Sequence, residues 1–126
     1  MPFPLNRVEL IGRLGRDAEL RYTPDAVAVA TFNLATDRPK RAGAEPETDW
    51  HRVVAWRKLG EFAGEYLTKG RLVFVAGRLT YRDFEGRDGR KRRAAEIVAI
   101  EIILLDRRPD AAVPEPSTAS DDEVPF

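Results

Sequence analysis

Residues 48–70 read Thr48-Asp49-Trp50-His51-Arg52-Val53-Val54-Ala55-Trp56-Arg57-Lys58-Leu59-Gly60-Glu61-Phe62-Ala63-Gly64-Glu65-Tyr66-Leu67-Thr68-Lys69-Gly70, and two periodicities meet inside them. Thr48–Trp56 alternates as a strand does. Trp50, Arg52, Val54 and Trp56 share one face, and His51, Val53 and Ala55 share the other. From Lys58 the period lengthens: Leu59, Phe62, Ala63, Tyr66 and Leu67 fall at i, i+3, i+4, i+7 and i+8. That spacing predicts a helix over Lys58–Lys69 with a single apolar stripe. Gly70 suits its C-terminal cap, and Lys69 suits the negative end of its dipole.

Working outward, the rest of the body reads as strands. Leu5–Leu14 alternates with Val8 and Leu10 on one face, and Glu19–Tyr22 forms a short strand before the Thr23-Pro24-Asp25 turn. Val27–Thr36 puts Ala28, Ala30, Phe32 and Leu34 on one face and Val29, Thr31 and Asn33 on the other. Asp37–Glu47, with Pro39, Gly43 and Pro46 among charges, reads as a long loop. Beyond the helix, Arg71–Phe84 and Lys91–Leu105 are long strands joined by Glu85-Gly86-Arg87-Asp88-Gly89-Arg90. Three principal strands, a helix and two more strands predict an all-β fold with one helix, a five-stranded Greek-key barrel of the OB class with the helix between strands three and four. An α+β sandwich satisfies the same pattern.

The length of 126 residues suits one domain. Residues 1–108 hold all 21 Lys and Arg against 16 Asp and Glu, or +5, whereas residues 109–126 hold five acids and no base, or −5. A basic body ending in an acidic tail suggests a polyanion-binding domain with an interaction segment. Residues 109–120 are rich in Pro, Ala and Ser and read as a disordered linker, leaving residues 121–126 as a distinct tip. Cysteine is absent and His51 is the only histidine, which excludes a disulfide framework and a Cys- or His-rich metal site. No apolar run approaches a membrane span, and Met1-Pro2-Phe3-Pro4 is not a signal peptide, so the expectation is a soluble, cytoplasmic protein. Without a nucleophile–base pair, a phosphate loop or clustered acids, the chain is not expected to be an enzyme or to need a cofactor.

Two indoles flanking an arginine on one strand face suit unpaired nucleic acid. Bases stack on Trp50 and Trp56 whatever their identity, and the Arg52 guanidinium takes phosphate. Arg52 also argues against burial of that face, since an unpaired buried charge is costly. On the long hairpin Arg78, Thr80, Arg82 and Phe84 share a parity, with Arg87, Arg90, Lys91, Arg92 and Arg93 around the tip. Together with the tryptophan strand this predicts a track for a polyanionic backbone. His51 reads as a packed or interface histidine rather than a catalytic one. The tip Asp121-Asp122-Glu123-Val124-Pro125-Phe126 offers three acids for steering and an aromatic plug beside a free carboxylate, a mode of partner capture.

These segments closely resemble the bacterial single-stranded-DNA-binding protein family. The matching residues are Asn6-Arg7-Val8, Leu10-Ile11-Gly12-Arg13-Leu14-Gly15-Arg16-Asp17, Arg21-Tyr22, Leu34-Ala35-Thr36, Thr48–Val54, Lys58-Leu59, Glu65-Tyr66-Leu67, Lys69-Gly70, Val75–Leu79 and the Asp121–Phe126 tip. The resemblance implies an OB fold, a homotetramer, sequence-tolerant wrapping of single-stranded DNA, and recruitment of replication, recombination and repair proteins through the tip. It carries Trp50, Trp56 and Phe84 as base-stacking positions and places His51 near the subunit interface. Arg52, Arg78, Arg82, Arg92 and Lys40 are the candidate phosphate contacts. This chain departs from the family in three ways. Lys40 stands about where a further stacking tryptophan is common. The linker lacks Gly/Gln-rich character, and the 18-residue tail spans only about 25 Å as a flexible coil. Arginine also greatly outnumbers lysine. Two other functions share the sequence features in part: an OB-fold accessory factor acting on DNA or RNA, and a nucleic-acid hydrolase built on an OB barrel.

Overall fold

Alternation of apolar and polar residues makes the strands of this chain, and the partners each strand finds bring the sheet back onto itself. The computed structural model describes residues 4–38, 43, 45, 47–106 and the backbone of 117–118. In chain order these form β1 (Val8–Leu14), β2 (Glu19–Tyr22), β3 (Ala28–Asp37), β4 (Thr48–Trp56), α1 (Arg57–Tyr66), β5 (Leu72–Glu85), β6 (Lys91–Leu104) and β7 (Ser117–Thr118). β1 pairs with β5 over Val8–Arg13 and with β3 at Arg13 and Leu14. β3 pairs antiparallel with β4, β4 parallel with β6, and β6 antiparallel with β5. The circuit β1-β5-β6-β4-β3-β1 is the five-stranded OB arrangement, its one parallel contact lying at Val53–Ile97 and Val54–Val98. β2 lies outside that circuit as a hairpin partner of β3. β7 falls within the segment expected to be an unstructured linker, and pairs its two residues with Glu101 and Ile102 of β6.

Closure depends on β1 changing partner within a few residues. A Cβ at Gly12 would lie 2.2 Å from the carbonyl oxygen of Ala35, so only glycine lets β1 pass this close to β3. Inside the ring, Phe32, Leu34, Val53, Ala55, Val73, Val75, Ile97 and Ile102 are buried, and the helix adds Leu59 and Ala63. The inward sets expected for β3 and for Val53 and Ala55 are all present. Gly60 brings α1 against the barrel, since its missing Cβ would meet the Ala55 carbonyl at 2.6 Å.

The helix is shorter than its apolar spacing predicts. Leu67, fully buried, leaves helical geometry at φ −91° and ψ 91°, and its carbonyl accepts the Ala18 amide at 2.9 Å. Two residues on, the Lys69 amide donates to Asp17 at 2.8 Å. These bonds to the β1–β2 connection replace further helical turns. Gly70, at φ +86°, therefore shapes the Thr68–Arg71 turn rather than capping the helix, and Lys69 lies beyond the last helical turn.

β6 does two jobs through one irregularity. Ala76 faces Glu101 while the adjacent Gly77 faces Ala99, which leaves Ile100 as an extra residue. Below this bulge Ile102 and Leu104 point inward, and above it Ile97 and Ala99 do. Val98, Glu96, Ala94 and Arg92 therefore face outward. Past Tyr81 and Ala95 the β5–β6 hairpin stands clear of the barrel with β5 exposed on both faces. Its tip closes through the Gly86 amide to Arg90 and the left-handed Gly89.

Candidate nucleic-acid interface

The outward residues of β4 set the axis of the site. Trp50 is 60% exposed and Trp56 37% exposed, and six residues of strand separate them, about 20 Å. Between them Val54 is buried against its neighbours Val98 and Thr31, so the rings stand at two ends of a strand rather than in one stack. Trp50 lies over Gly15, where a Cβ would come within 2.5 Å of its ring. Trp56 sits where strand turns into helix, immediately before Arg57, whose φ of +59° is a left-handed conformation that costs a non-glycine residue energy.

Arg52 reaches across to β6. Its Nε donates to Glu96 Oε2 at 2.6 Å, and Arg82 Nε donates to the same oxygen at 2.8 Å. The Glu96 side chain is only 12% exposed, whereas Arg52 and Arg82 remain 43% and 50% exposed. One carboxylate thus aligns two guanidinium groups, and the three residues together carry +1. Arg82 also sits 5.4 Å from the centre of the Phe84 ring. Across the ladder from Phe84 lies Arg92, which is bound to Asp88 at 2.8 Å. Arg52, Arg82, Phe84 and Arg92 accordingly share one face of β4, β6 and β5.

The remaining sequence-derived positions divide. Arg78 has the same parity as Arg82, but it faces Val98 and lines a separate recess of ≈ 160 Å³ with Leu5 and Asn6. His51 faces the other way from the tryptophans and its Nε2 lies 2.7 Å from Thr36 Oγ1. Lys40 and the tip Asp121–Phe126 lie outside the described residues. At the start of β4, Arg38 holds Glu47 and Asp49, and its hydrogen bond and charge keep the Asp49 carboxyl below the usual carboxylate range despite some desolvation. Among the described residues no group of His, Asp or Glu is placed to hold a metal ion, and no helix is long and apolar enough to cross a membrane.

Three residues of the site, Glu96, Gly15 and Arg16, escape a reading by strand parity alone. Glu96 is joined to Arg52 across 44 residues, a pairing with no local signal. Gly15, Arg16 and Asn33 meet beside Trp50. Asn33 was legible as an outward polar residue on an alternating strand, but its neighbours were not.

A closed OB barrel with exposed indoles, a phenylalanine and guanidinium groups on its outer strands falls in the class of OB proteins built with an aromatic, cationic face. The profile of the Single-strand binding protein family matches residues 5–105. The single-stranded DNA-binding protein of Neisseria meningitidis is 49% identical over 107 residues, covering 82% of this chain and 62% of the relative's length. That of Thermotoga maritima is 42% identical, covering 96% of this chain and 97% of its own. A solved structure described as a Plasmodium falciparum SSB complex with ssDNA superposes with a TM-score of 0.75 at 32% identity, covering 84% of this chain and 99% of that one. The chain belongs to the single-strand binding protein family.

Proposed function

We propose that this protein binds single-stranded DNA with little regard to sequence. Bases stack on Trp50, Trp56 and Phe84, and phosphates are held by Arg52, Arg78, Arg82, Arg92 and Lys40. The observation that carries this reading is the outward face of β4, where two exposed indoles flank an arginine that Glu96 joins to the Arg82–Phe84 pair. Rings supply base-blind attraction, and guanidinium groups supply the salt-sensitive part. The body, residues 1–108, works as a homotetramer with His51 close to the contact between subunits. Residues 109–120 tether the Asp121–Phe126 tip, which recruits replication, recombination and repair proteins in the cytoplasm. Family membership supports the tetramer and the tip, and the charge contrast between body and tail supports the tether.

The test is a tryptophan-fluorescence titration with oligo-dT and with duplex of equal length, at several salt concentrations. Quenching by oligo-dT alone, weakening as salt rises and reduced in Trp50→Ala and Trp56→Ala, is expected. Equal binding to duplex, or an unchanged titration in both variants, would overturn the reading.

A further inference from the structure

Between β1 and β3 a recess of ≈ 310 Å³ opens against the indole of Trp50, and its other walls are Gly15, Arg16 and Asn33. Small-molecule sites begin near about 300 Å³, so the space suits one nucleotide rather than a length of strand. Gly15 lets the Trp50 ring settle against the backbone, where a Cβ would meet it at 2.5 Å, and that ring is the aromatic wall of the recess. The backbone here is pinned, because the Gly15 amide donates to the Asn33 carbonyl at 3.1 Å. The two polar side chains are not. Neither the Asn33 carboxamide nor the Arg16 guanidinium makes a hydrogen bond to any described residue. Arg52, opposite Asn33 on β4, is already engaged by Glu96 and does not compete for the amide.

The geometry points to an edge-reading subsite. A base stacked on Trp50 is hydrogen-bonded along its pairing edge by the Asn33 amide, while Arg16 holds the phosphate of the same nucleotide. The inference rests on the single-strand reading proposed above and adds a selectivity to it. A carboxamide presents one acceptor and one pair of donor hydrogens side by side. Thymine offers N3–H beside O4, cytosine N3 beside its amino group, guanine N1–H beside O6 and adenine N1 beside its amino group. By turning over, the same amide satisfies each of them. It therefore discriminates little among bases, but it requires that the pairing edge be free. A base already paired in a duplex cannot meet it. Stacking alone lacks this requirement, because a ring face carries no record of what the edge is doing.

The experiment compares oligo-dT with an oligomer of N3-methylthymidine of equal length. The methyl group blocks the edge and leaves ring face and phosphates in place. Tryptophan quenching is followed for the full chain, for Asn33→Ala and for the nearly isosteric Asn33→Leu. The unaltered chain is expected to favour plain oligo-dT by about 5-fold or more, and both variants to bind plain oligo-dT more weakly and lose that preference. Variants that keep the full preference, or an unaltered chain that shows none, would overturn the edge-reading subsite. If plain oligo-dT fails to quench the unaltered chain at all, the single-strand reading itself falls, which is a separate and recognisable result.

Discussion

Arg52 Nε stands 2.6 Å from the Oε2 oxygen of Glu96, a contact made across the parallel strands β4 and β6 and shared with Arg82. A nearly buried carboxylate at the centre of a cationic face holds the two arginines in place and also competes with phosphate for them. Glu96→Gln should therefore tighten oligo-dT binding at low salt. With one more phosphate neutralised, the slope of log affinity against log salt should steepen by about 0.7. An unchanged slope would show that Arg52 and Arg82 do not reach the DNA.

Gly15 governs how Trp50 lies. An added methyl group would meet the ring at 2.5 and 2.7 Å, and because Trp50 is an exposed side chain the ring is what gives way. Gly15→Ala should lower the affinity for oligo-dT by a few fold, a fraction of the ~1–3 kcal/mol that a stacked base contributes, with the melting temperature nearly unchanged. Full affinity in this variant would mean that the orientation of Trp50 is immaterial.

Ala26 has a φ of +64° in the turn between β2 and β3, where its amide donates to the Thr23 carbonyl at 2.8 Å. Left-handed backbone costs an L-residue about 1 kcal/mol or more. Ala26→Gly should stabilise the domain by about 1 kcal/mol, or several degrees in thermal melting, without changing DNA affinity. A lower melting temperature would contradict the strain.

Asp106 ties the entry and exit of the β5–β6 pair. It accepts Arg71 Nε at 2.9 Å and the Leu72 amide at 3.1 Å. Partial burial pushes its carboxyl up, but those hydrogen bonds and the Arg71 charge together outweigh burial and hold it below the usual range. A folded value below the unfolded one means that the stabilisation is complete above the unfolded value, about 3.9, and is lost as pH falls through the folded value. Asp106→Asn should cost roughly 1 kcal/mol in urea melts at neutral pH, and less at pH 3 and below. The same loss at both pH values would rule out the linkage.

What could be read from the chain alone followed what is local. The alternation of β3 and of Val53–Ala55 predicts the inward set because each strand reports its own parity, and the apolar stripe from Leu59 to Leu67 predicts the helix. Where tertiary bonds compete, local pattern misleads: Leu67 lies on the helical stripe yet leaves the helix, because its carbonyl is taken by Ala18 and Lys69 is held by Asp17. Gly70 looks like a cap for the same reason. The site divides along the same line. Trp50, Arg52 and Trp56 are spaced by two and four residues, so one strand places them all outward. Glu96 joins Arg52 across the barrel, and Arg16 and Asn33 meet only because β1 turns from β5 to β3 at Gly12. Nothing in the spacing of those residues announces the encounter.

The extra residue at Ile100 gives β6 two reading frames, one for each end. From Leu104 to Ile102 even positions face the barrel, and from Ala99 to Ile97 odd positions do. Deleting Ile100 would put the whole strand in one frame. The ladder would then run unbroken from Ile102 through Glu101 to Ala99, with Ile97 and Ala99 still inward and Glu96 still outward, and the bend and added twist of the bulge would be lost. Evolution can lengthen or shorten the hairpin tip beyond Glu85 and Lys91 without touching either frame. At the bulge one residue is slack: it bends β6 on its way from the barrel to the hairpin and leaves the inside and the outside of the protein the same on either side of it.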